Sequence, residues 1–347
     1  MNWVNYLFQG RKAEVKKQPA PTPVISPAVK RNIDRIPFRN LNFQATLSPS
    51  FPHFKQFCED RRFNAMRLNS AMIHLNELDG ELKILKSLNN PVDLYFDIKG
   101  RQLRIQEVDI FPDHLEITLN HEIEVDTPTI VLFKAGSDRA MLKKIVGGKR
   151  LIFNGGPKYL VKPGESIHIR NPSLQMNGTV FCDYEIEKIK KVKAAGINKY
   201  FLSYVEEQRD VDEFFELIGK DATVVAKIET KNGLKYVANQ FVKKDNLSLM
   251  AARGDLYVEL DKPHEILNAV KMISKKDPNA YVGSRILLSL VQTPVPECCD
   301  FSDLAWLYDI GYRNMMLCDE ICLKPELLSV AANVLEAFKD SYEKTVK

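Results

Sequence analysis

Cysteine is scarce. Six residues in a chain of 347 cannot make a disulfide scaffold, and a reduced, cytoplasmic setting is the expectation. Cys298 and Cys299 are adjacent, while Cys318 and Cys322 lack a matching second pair or a nearby His, so the spacings give no zinc site. Long apolar runs are also missing; the longest is far shorter than a membrane span, so no spanning helix is expected. Excess charge of one sign is absent. A formal net charge of +4 suits an anionic small-molecule ligand but makes no basic stripe of the kind nucleic-acid binders carry. The N-terminal stretch MNWVNYLFQGRK is apolar in part, yet no basic segment precedes it and no small-residue cleavage site follows, so it does not read as a secretion signal.

What is present is material for a large core, since 45% of the residues are hydrophobic. KKQPAPTPVISPAVKR is Pro-rich and without periodicity, so residues 1–40 read as a disordered tail that could dock a protein partner. Beyond it come eight short β-rich runs: NFQATLS, AMRLN, VDLYFD, KYFLSYV, TVVAKIE, LSLMAA, AYVGSRI and NMMLC. Most are continuously apolar, as in parallel strands covered on both faces. Amphipathic helical stretches follow nearly all of them, with Gly196, Gly219 and Gly311 at the expected helix ends. Eight such units predict an α/β fold, a (β/α)₈ barrel over residues 41–105 and 172–347. Between them the pattern turns hairpin-like, as in HLEITLNHEIEV and ESIHIRN, which predicts a small all-β domain inserted after the third strand, over residues 106–171, as a lid.

In such a barrel the chemistry belongs past the carboxyl ends of the strands. Found there in order are Thr46 with Pro49, Arg67 with Asn69, Asp97 with Lys99 and Arg104, and Ser203. Lys227 with Glu229, Arg253 with Asp255, then Ser284 and Glu320 complete the circuit. Glu229 and Asp255 come from consecutive strands and could share one Mg²⁺ or Mn²⁺. Arg67, Arg104 and Lys227 would face phosphate or developing negative charge. Lys227 lies inside its apolar run and needs a partner, which Glu229, two residues on, can supply. A purely structural ion pair is the competing reading. Arg253-Gly254-Asp255 could also be a surface turn or an adhesion tripeptide, although its apolar flanks argue for burial.

With these residues assembled, the chain resembles the pyruvate kinase family. QATLSPS, MRLNSAM, FDIKGRQLR, LSYV, AKIETKNG and MAARGDLYVEL are similar to its strand-end motifs, in the family's order, and the resemblance covers roughly residues 42 to 340. It implies a barrel that passes phosphoryl between phosphoenolpyruvate and ADP, giving pyruvate and ATP, with Mg²⁺ and K⁺. By resemblance, Glu229 and Asp255 hold Mg²⁺, and Lys227 steadies the transferring phosphoryl and the enolate. Arg67 meets phosphate, Thr46, Pro49, Asn69 and Arg104 lie on the nucleotide side, the backbone of Arg253, Gly254 and Asp255 holds the substrate carboxylate, and Ser284 faces the protonated enolate carbon.

The departures are equally specific. Of the K⁺ set Asn69 and Asp97 remain, while Ala71 and Ile98 stand where two hydroxyls belong, and Arg101 is a candidate fixed charge in their place. Met72 replaces a nucleotide-side His, and Tyr257 replaces a Gly beside the substrate loop. The family's C-terminal domain is expected to be lacking after Lys347. Three functions follow as candidates: a pyruvate kinase-like phosphotransferase, metal-dependent enolate or 2-oxo acid chemistry on another substrate, and a non-catalytic binding protein on the same scaffold.

Overall fold

The computed structural model describes residues 41–89 and 91–345. The Pro-rich tail of residues 1–40 lies outside the described residues.

Three strands open the fold: β1 (Asn42–Thr46), β2 (Ala65–Asn69) and β3 (Asp93–Ile98). Eight strands that belong to a separate sheet system follow: β4 (Ile105–Ile110), β5 (His114–Leu119), β6 (Glu122–Glu124), β7 (Thr129–Phe133), β8 (Asp138–Val146), β9 (Arg150–Asn154), β10 (His168–Ile169) and β11 (Gln175–Asn177). Then come β12 (Lys199–Leu202), β13 (Thr223–Ile228), β14 (Leu247–Ala252), β15 (Tyr281–Gly283) and β16 (Asn314–Met316). The first three and last five close a parallel barrel in the order β1-β16-β15-β14-β13-β12-β3-β2. This is the (β/α)₈ architecture that the eight apolar runs predict.

The barrel's register explains both its core and its site. Strand side chains alternate between faces. In β13 the sequence TVVAKI sends Val224, Ala226 and Ile228 outward into the layer shared with the helices. Val225 and Lys227 take the other face, where Val225 packs with Ala65, Tyr95, Phe201, Met250 and Met316 in a second, separate cluster. Those residues plug the barrel. Ladder partners share a face, and Thr46 pairs with Arg67, Asn69 with Asp97, and Lys227 with Met250. The same alternation that fills the lower barrel with aromatic and sulfur side chains therefore stacks polar ones in the layer above.

Among the described residues are ten α-helices: α1 (Phe54–Cys58), α2 (Leu78–Lys86), α3 (Asp183–Ala194), α4 (Gln208–Ile218), α5 (Lys231–Asn239), α6 (Arg253–Glu259), α7 (Ile266–Lys276), α8 (Cys298–Asp309), α9 (Asp319–Cys322) and α10 (Pro325–Thr345). In α4 the buried Val211, Phe214 and Ile218 recur at helical spacing and press one stripe onto the barrel. Gly196, Gly219 and Gly311 all adopt positive φ where α3, α4 and α8 stop. One local expectation changes. Arg253-Gly254-Asp255, read as the end of a strand, starts helix α6 instead. Among the described residues no helix is long and apolar enough to cross a membrane.

Strands β10, β7, β8, β9, β5 and β4 form one antiparallel sheet, and β11 pairs with β6. Ile117, Val131, Leu142 and Phe153 give it a core of its own. It meets the barrel at the turn around Gly136, where a Cβ would lie 3.2 Å from the Val258 side chain of α6, and at β10, where His168 reaches Glu259 of α6.

Helix α5 approaches β12 through Gly233, whose amide is held by the Thr230 hydroxyl at 3.0 Å. A Cβ on Gly233 would lie 2.7 Å from the Val205 carbonyl oxygen, a backbone atom that cannot swing aside. Gly233→Ala is expected to cost about 1–3 kcal/mol, read as a lower urea midpoint at unchanged slope.

Candidate active site

At the centre of the polar layer stands Asp97, at the end of β3 and fully buried. Its Oδ2 accepts from Arg67 Nε at 2.7 Å and from Lys99 Nζ at 2.8 Å, and its Oδ1 accepts from Ser203 Oγ at 3.0 Å. Burial opposes its charge, but Arg67, Lys227 and Lys99 hold the carboxyl well below the usual range. Lys227 sits 3.7 Å from Asp97, donates to Ser203 Oγ at 2.8 Å and pairs with Glu229 Oε1 at 2.9 Å. Burial works against the charge of Lys227 as well, yet Asp97 and Glu229 raise it above the ordinary lysine value. Lys99 goes the other way and is pushed down to about 7, chiefly by burial, which outweighs the pull of Asp97.

Glu229 is also buried, which raises its carboxyl against the lowering effect of Lys227. Its Oε2 accepts from the amide of Tyr204 at 2.7 Å. Tyr204 has φ +55°, so the β12 loop turns its N–H inward. Opposite lies α6. Asp255, in its first turn, faces Glu229 across a cavity of about 340 Å³, which Lys227, Gly254, Ser284 and Arg67 also line. Gly254 leaves the site open there, since a Cβ would lie 3.1 Å from Ser284 Oγ and crowd that side chain. Ala135, in a turn of the inserted domain, closes part of the mouth.

Most of the residues that the sequence nominates therefore converge, but not all. Thr46 accepts from Arg67 at 3.2 Å, and Asn69 donates to Asp319 at 3.2 Å. Pro49 is buried in the turn after β1. Arg253 does not point into the cavity; its guanidinium donates to the Ser284 carbonyl at 2.8 Å and to Asp303 at 2.7 Å, tying α6 to the end of β15 and to α8. Arg104 donates to Gln102 at 2.9 Å and to the Gly164 carbonyl, which turns it toward the inserted domain. Arg101 pairs with Asp210 at 2.7 Å and Glu207 at 2.5 Å and supplies no charge to Asp97. Glu320 is exposed at the cavity rim, and Tyr257 lies outside it under the Arg285 guanidinium, 4.5 Å from ring centroid to carbon.

Two participants have no signal in the sequence. Asp319, at the start of α9, accepts from Arg67 at 2.9 Å and from Asn69, so Arg67 is shared between two carboxylates. His168, from β10 of the inserted domain, is buried with Nδ1 2.7 Å from Glu259 and Nε2 3.6 Å from Asp255. Asp319 is one residue from Glu320 but separated from Arg67 by most of the chain. His168 sits in an alternating strand where any residue type could face inward.

Glu229 and Asp255, two carboxylates across a polar cavity, suit a divalent cation with an open coordination shell. The Asn69 and Asp97 pair does not suit K⁺. Lys99 Nζ and the Arg67 guanidinium already occupy Asp97, and the Asn69 amide is spent on Asp319. Among the described residues, the one group of three metal-ligating side chains whose donor atoms lie within 4.8 Å of one another is His121, Cys182 and Glu185. There Glu185 accepts from the amides of Lys99 and Gly100 at 3.0 and 3.2 Å, His121 bonds the Gly100 carbonyl at 2.8 Å, and the group pins the hinge between β3 and the inserted domain.

The sharing of Arg67 generates a test. Asp319 is about one-third exposed, so Asp319→Asn should change stability by less than about 1 kcal/mol. It frees one arm of Arg67, and inorganic phosphate should bind about threefold to tenfold tighter by titration calorimetry. Unchanged phosphate affinity would show that Asp319 does not compete for that guanidinium.

Comparison with known proteins places this geometry in context. The family model described as the pyruvate kinase barrel domain matches residues 164–322. A pyruvate kinase of Thermoplasma acidophilum is 23% identical over 299 residues, covering 80% of this chain and 53% of that protein. One from Methanocaldococcus jannaschii is 24% identical over 335 residues, covering 88% and 71%. One from Agrobacterium vitis is 33% identical over 131 residues, covering 36% and 26%. The chain thus spans about half the length of the first of these relatives and about a quarter of the third.

Proposed function

The chain is a divergent member of the pyruvate kinase family, and from that premise we propose that its barrel transfers a phosphoryl group between phosphoenolpyruvate and ADP. The observation that carries this reading is the buried Lys227, charged against Asp97 and Glu229 and open to a cavity that Arg67, Asp255 and Ser284 also line. A fully buried cation inside a strand is costly and needs a purpose beyond its ion pairs.

Each residue then has a task. Lys227 holds a fixed positive charge at the cavity floor, where negative charge develops on the bridging oxygen and the enolate as phosphoryl leaves. Ser203 and Asp97 orient its ammonium. Glu229 and Asp255 would hold Mg²⁺ or Mn²⁺. When bound, that ion supplies Lewis-acid stabilisation to substrate oxygens. Gly254 keeps the α6 backbone open to the substrate carboxylate, and Ser284 Oγ, beside it, can pass or hold a proton at the enolate carbon. Arg67 faces the phosphate. Ala135 and its turn restrict water at the mouth.

One observation favours a second reading, enolate or 2-oxo acid chemistry without a nucleotide. On the nucleotide side Arg67 is neutralised by Asp97 and Asp319, and Arg104 is engaged with Gly164. A coupled lactate dehydrogenase assay distinguishes the two. Phosphoenolpyruvate, ADP and Mg²⁺ should yield pyruvate, and Lys227→Met should reduce the rate by on the order of 10²–10³-fold or more. Pyruvate formation at the same rate without ADP would favour the second reading, and no pyruvate above the Lys227→Met background would remove the first.

A further inference from the structure

The chain leaves the barrel after β3, at Lys99 and Gly100, and returns to it at Cys182, the residue before α3. One side chain from the inserted domain meets two from the barrel at these crossings. His121, between β5 and β6, touches Cys182, and Glu185 stands in the first turn of α3. Their donor atoms all lie within 4.8 Å of one another.

Each of the three has a donor to offer. His121 Nε2 lies 2.8 Å from the Gly100 carbonyl oxygen, which can only accept, so the proton sits on Nε2 and Nδ1 carries the lone pair. Histidines that bind metals are commonly oriented by a carbonyl in this way. Cys182 Sγ is 3.8 Å from Nδ1 and 3.5 Å from Nε2. A sulfur and a nitrogen on one tetrahedral zinc ion lie about 3.6 Å apart. Glu185 Oε1 accepts from the amides of Lys99 and Gly100, whereas Oε2 receives only the longer contact from the Cys182 amide, at 3.4 Å, and keeps lone pairs for an ion. Cys182 occupies a helix N-cap, where Ser, Thr, Asp or Asn serves better, and its thiol reaches the Asn120 carbonyl at 3.4 Å. Capping does not account for a cysteine there.

Charge points the same way. A thiolate, a carboxylate and a neutral imidazole together cancel a divalent ion, as a buried setting requires. Burial keeps His121 below the usual histidine value, and it pushes the Cys182 thiol up to about 12 and the Glu185 carboxyl up to about 7. A cation would reverse the last two shifts, so binding would release the thiol proton and tighten as pH rises. Cys182 is only partly buried, so the cluster is not sealed from solvent.

We propose that His121, Cys182 and Glu185 form a zinc site that clamps the inserted domain to the barrel at both of its connections, separate from Glu229 and Asp255. Mixed sulfur, nitrogen and oxygen ligation suits Zn²⁺ and not Mg²⁺, which favours oxygen ligands and retained waters. Glu185 also holds the Lys99 amide, and Lys99 Nζ donates to Asp97 at 2.8 Å, so the clamp would steady one edge of the polar layer.

The test uses the full chain, stripped of metal, with Co²⁺ as a spectroscopic substitute for Zn²⁺. Co²⁺ should bring up a near-ultraviolet thiolate-to-cobalt band, and Zn²⁺ should bleach it. Cys182→Ser should abolish the band and weaken Zn²⁺ binding, read by calorimetry, at least about tenfold. Exchanging the exposed Cys298 and Cys299 for serine should leave the band intact. No band, a band that survives Cys182→Ser, or one lost with Cys298 and Cys299 overturns the site. Should Cys182→Ser not fold, X-ray absorption of the parent protein with one equivalent of Zn²⁺ decides. One sulfur at about 2.3 Å beside nitrogen and oxygen supports the site, and two sulfurs or none overturns it.

Discussion

A carboxylate with no access to water organises the upper half of this barrel. Asp97 sits at the end of β3, and Arg67, Lys99 and Ser203 each donate to it while Lys227 stands 3.7 Å away. Isolated burial of such a charge would be prohibitive, and its neutralisation accounts for most of what surrounds it. Three cations converge on one anion, so the cluster is positive even after Asp97 is counted. Glu229 and Asp319 restore balance from the two flanks. Burial then divides the lysines: Lys227, with two carboxylates, keeps its charge, whereas Lys99, with one, is pushed toward neutrality.

That cluster is possible because of strand register. Parallel ladders align Thr46 with Arg67 and Asn69 with Asp97, and alternation keeps all of them on the inner face. One layer down, the same face carries Tyr95, Phe201 and Met250. The apolar plug closes the barrel beneath the cluster, and α6 and the turn at Ala135 line the cavity above it. The inserted domain contributes more than a cover, since β10 places His168 against the helix that bears Asp255.

Much of this was legible in the amino-acid sequence, and the parts that were not share a cause. Eight apolar runs with helices between them predict the barrel. Lys227 and Glu229 announce themselves as polar residues two apart within such a run, where alternation forces them onto one face. Asp319 and His168 are different. Each acquires its role from a partner far away in the chain, Arg67 for one and Asp255 and Glu259 for the other. Nothing local distinguishes them from surface or strand residues of the same type. The side chains of Arg104 and Arg253 turn away for the opposite reason. Their positions after strands are as expected, but a long side chain can swing to a carbonyl or an aspartate outside the site, and spacing alone does not fix which way it goes.

The result is an asymmetric site. Toward β1, β2 and β3 the cations are saturated: Arg67 by Asp97 and Asp319, Lys99 by Asp97. Toward β13 and α6 the balance reverses, with Asp255, Glu259 and Glu229 outnumbering Lys227 and His168. A ligand entering from the first side must displace an existing ion pair, and its phosphate gains only the difference between two carboxylate partners. A cation entering on the second side meets more carboxylates than cations. The free energy available for binding a cation is thus concentrated on the side of Glu229 and Asp255. A bound divalent ion would offset the negative flank and provide the free positive charge that Arg67 lacks. Were Glu229 and Asp255 to hold such an ion, an anionic substrate would bind largely through it, with Lys227 beneath.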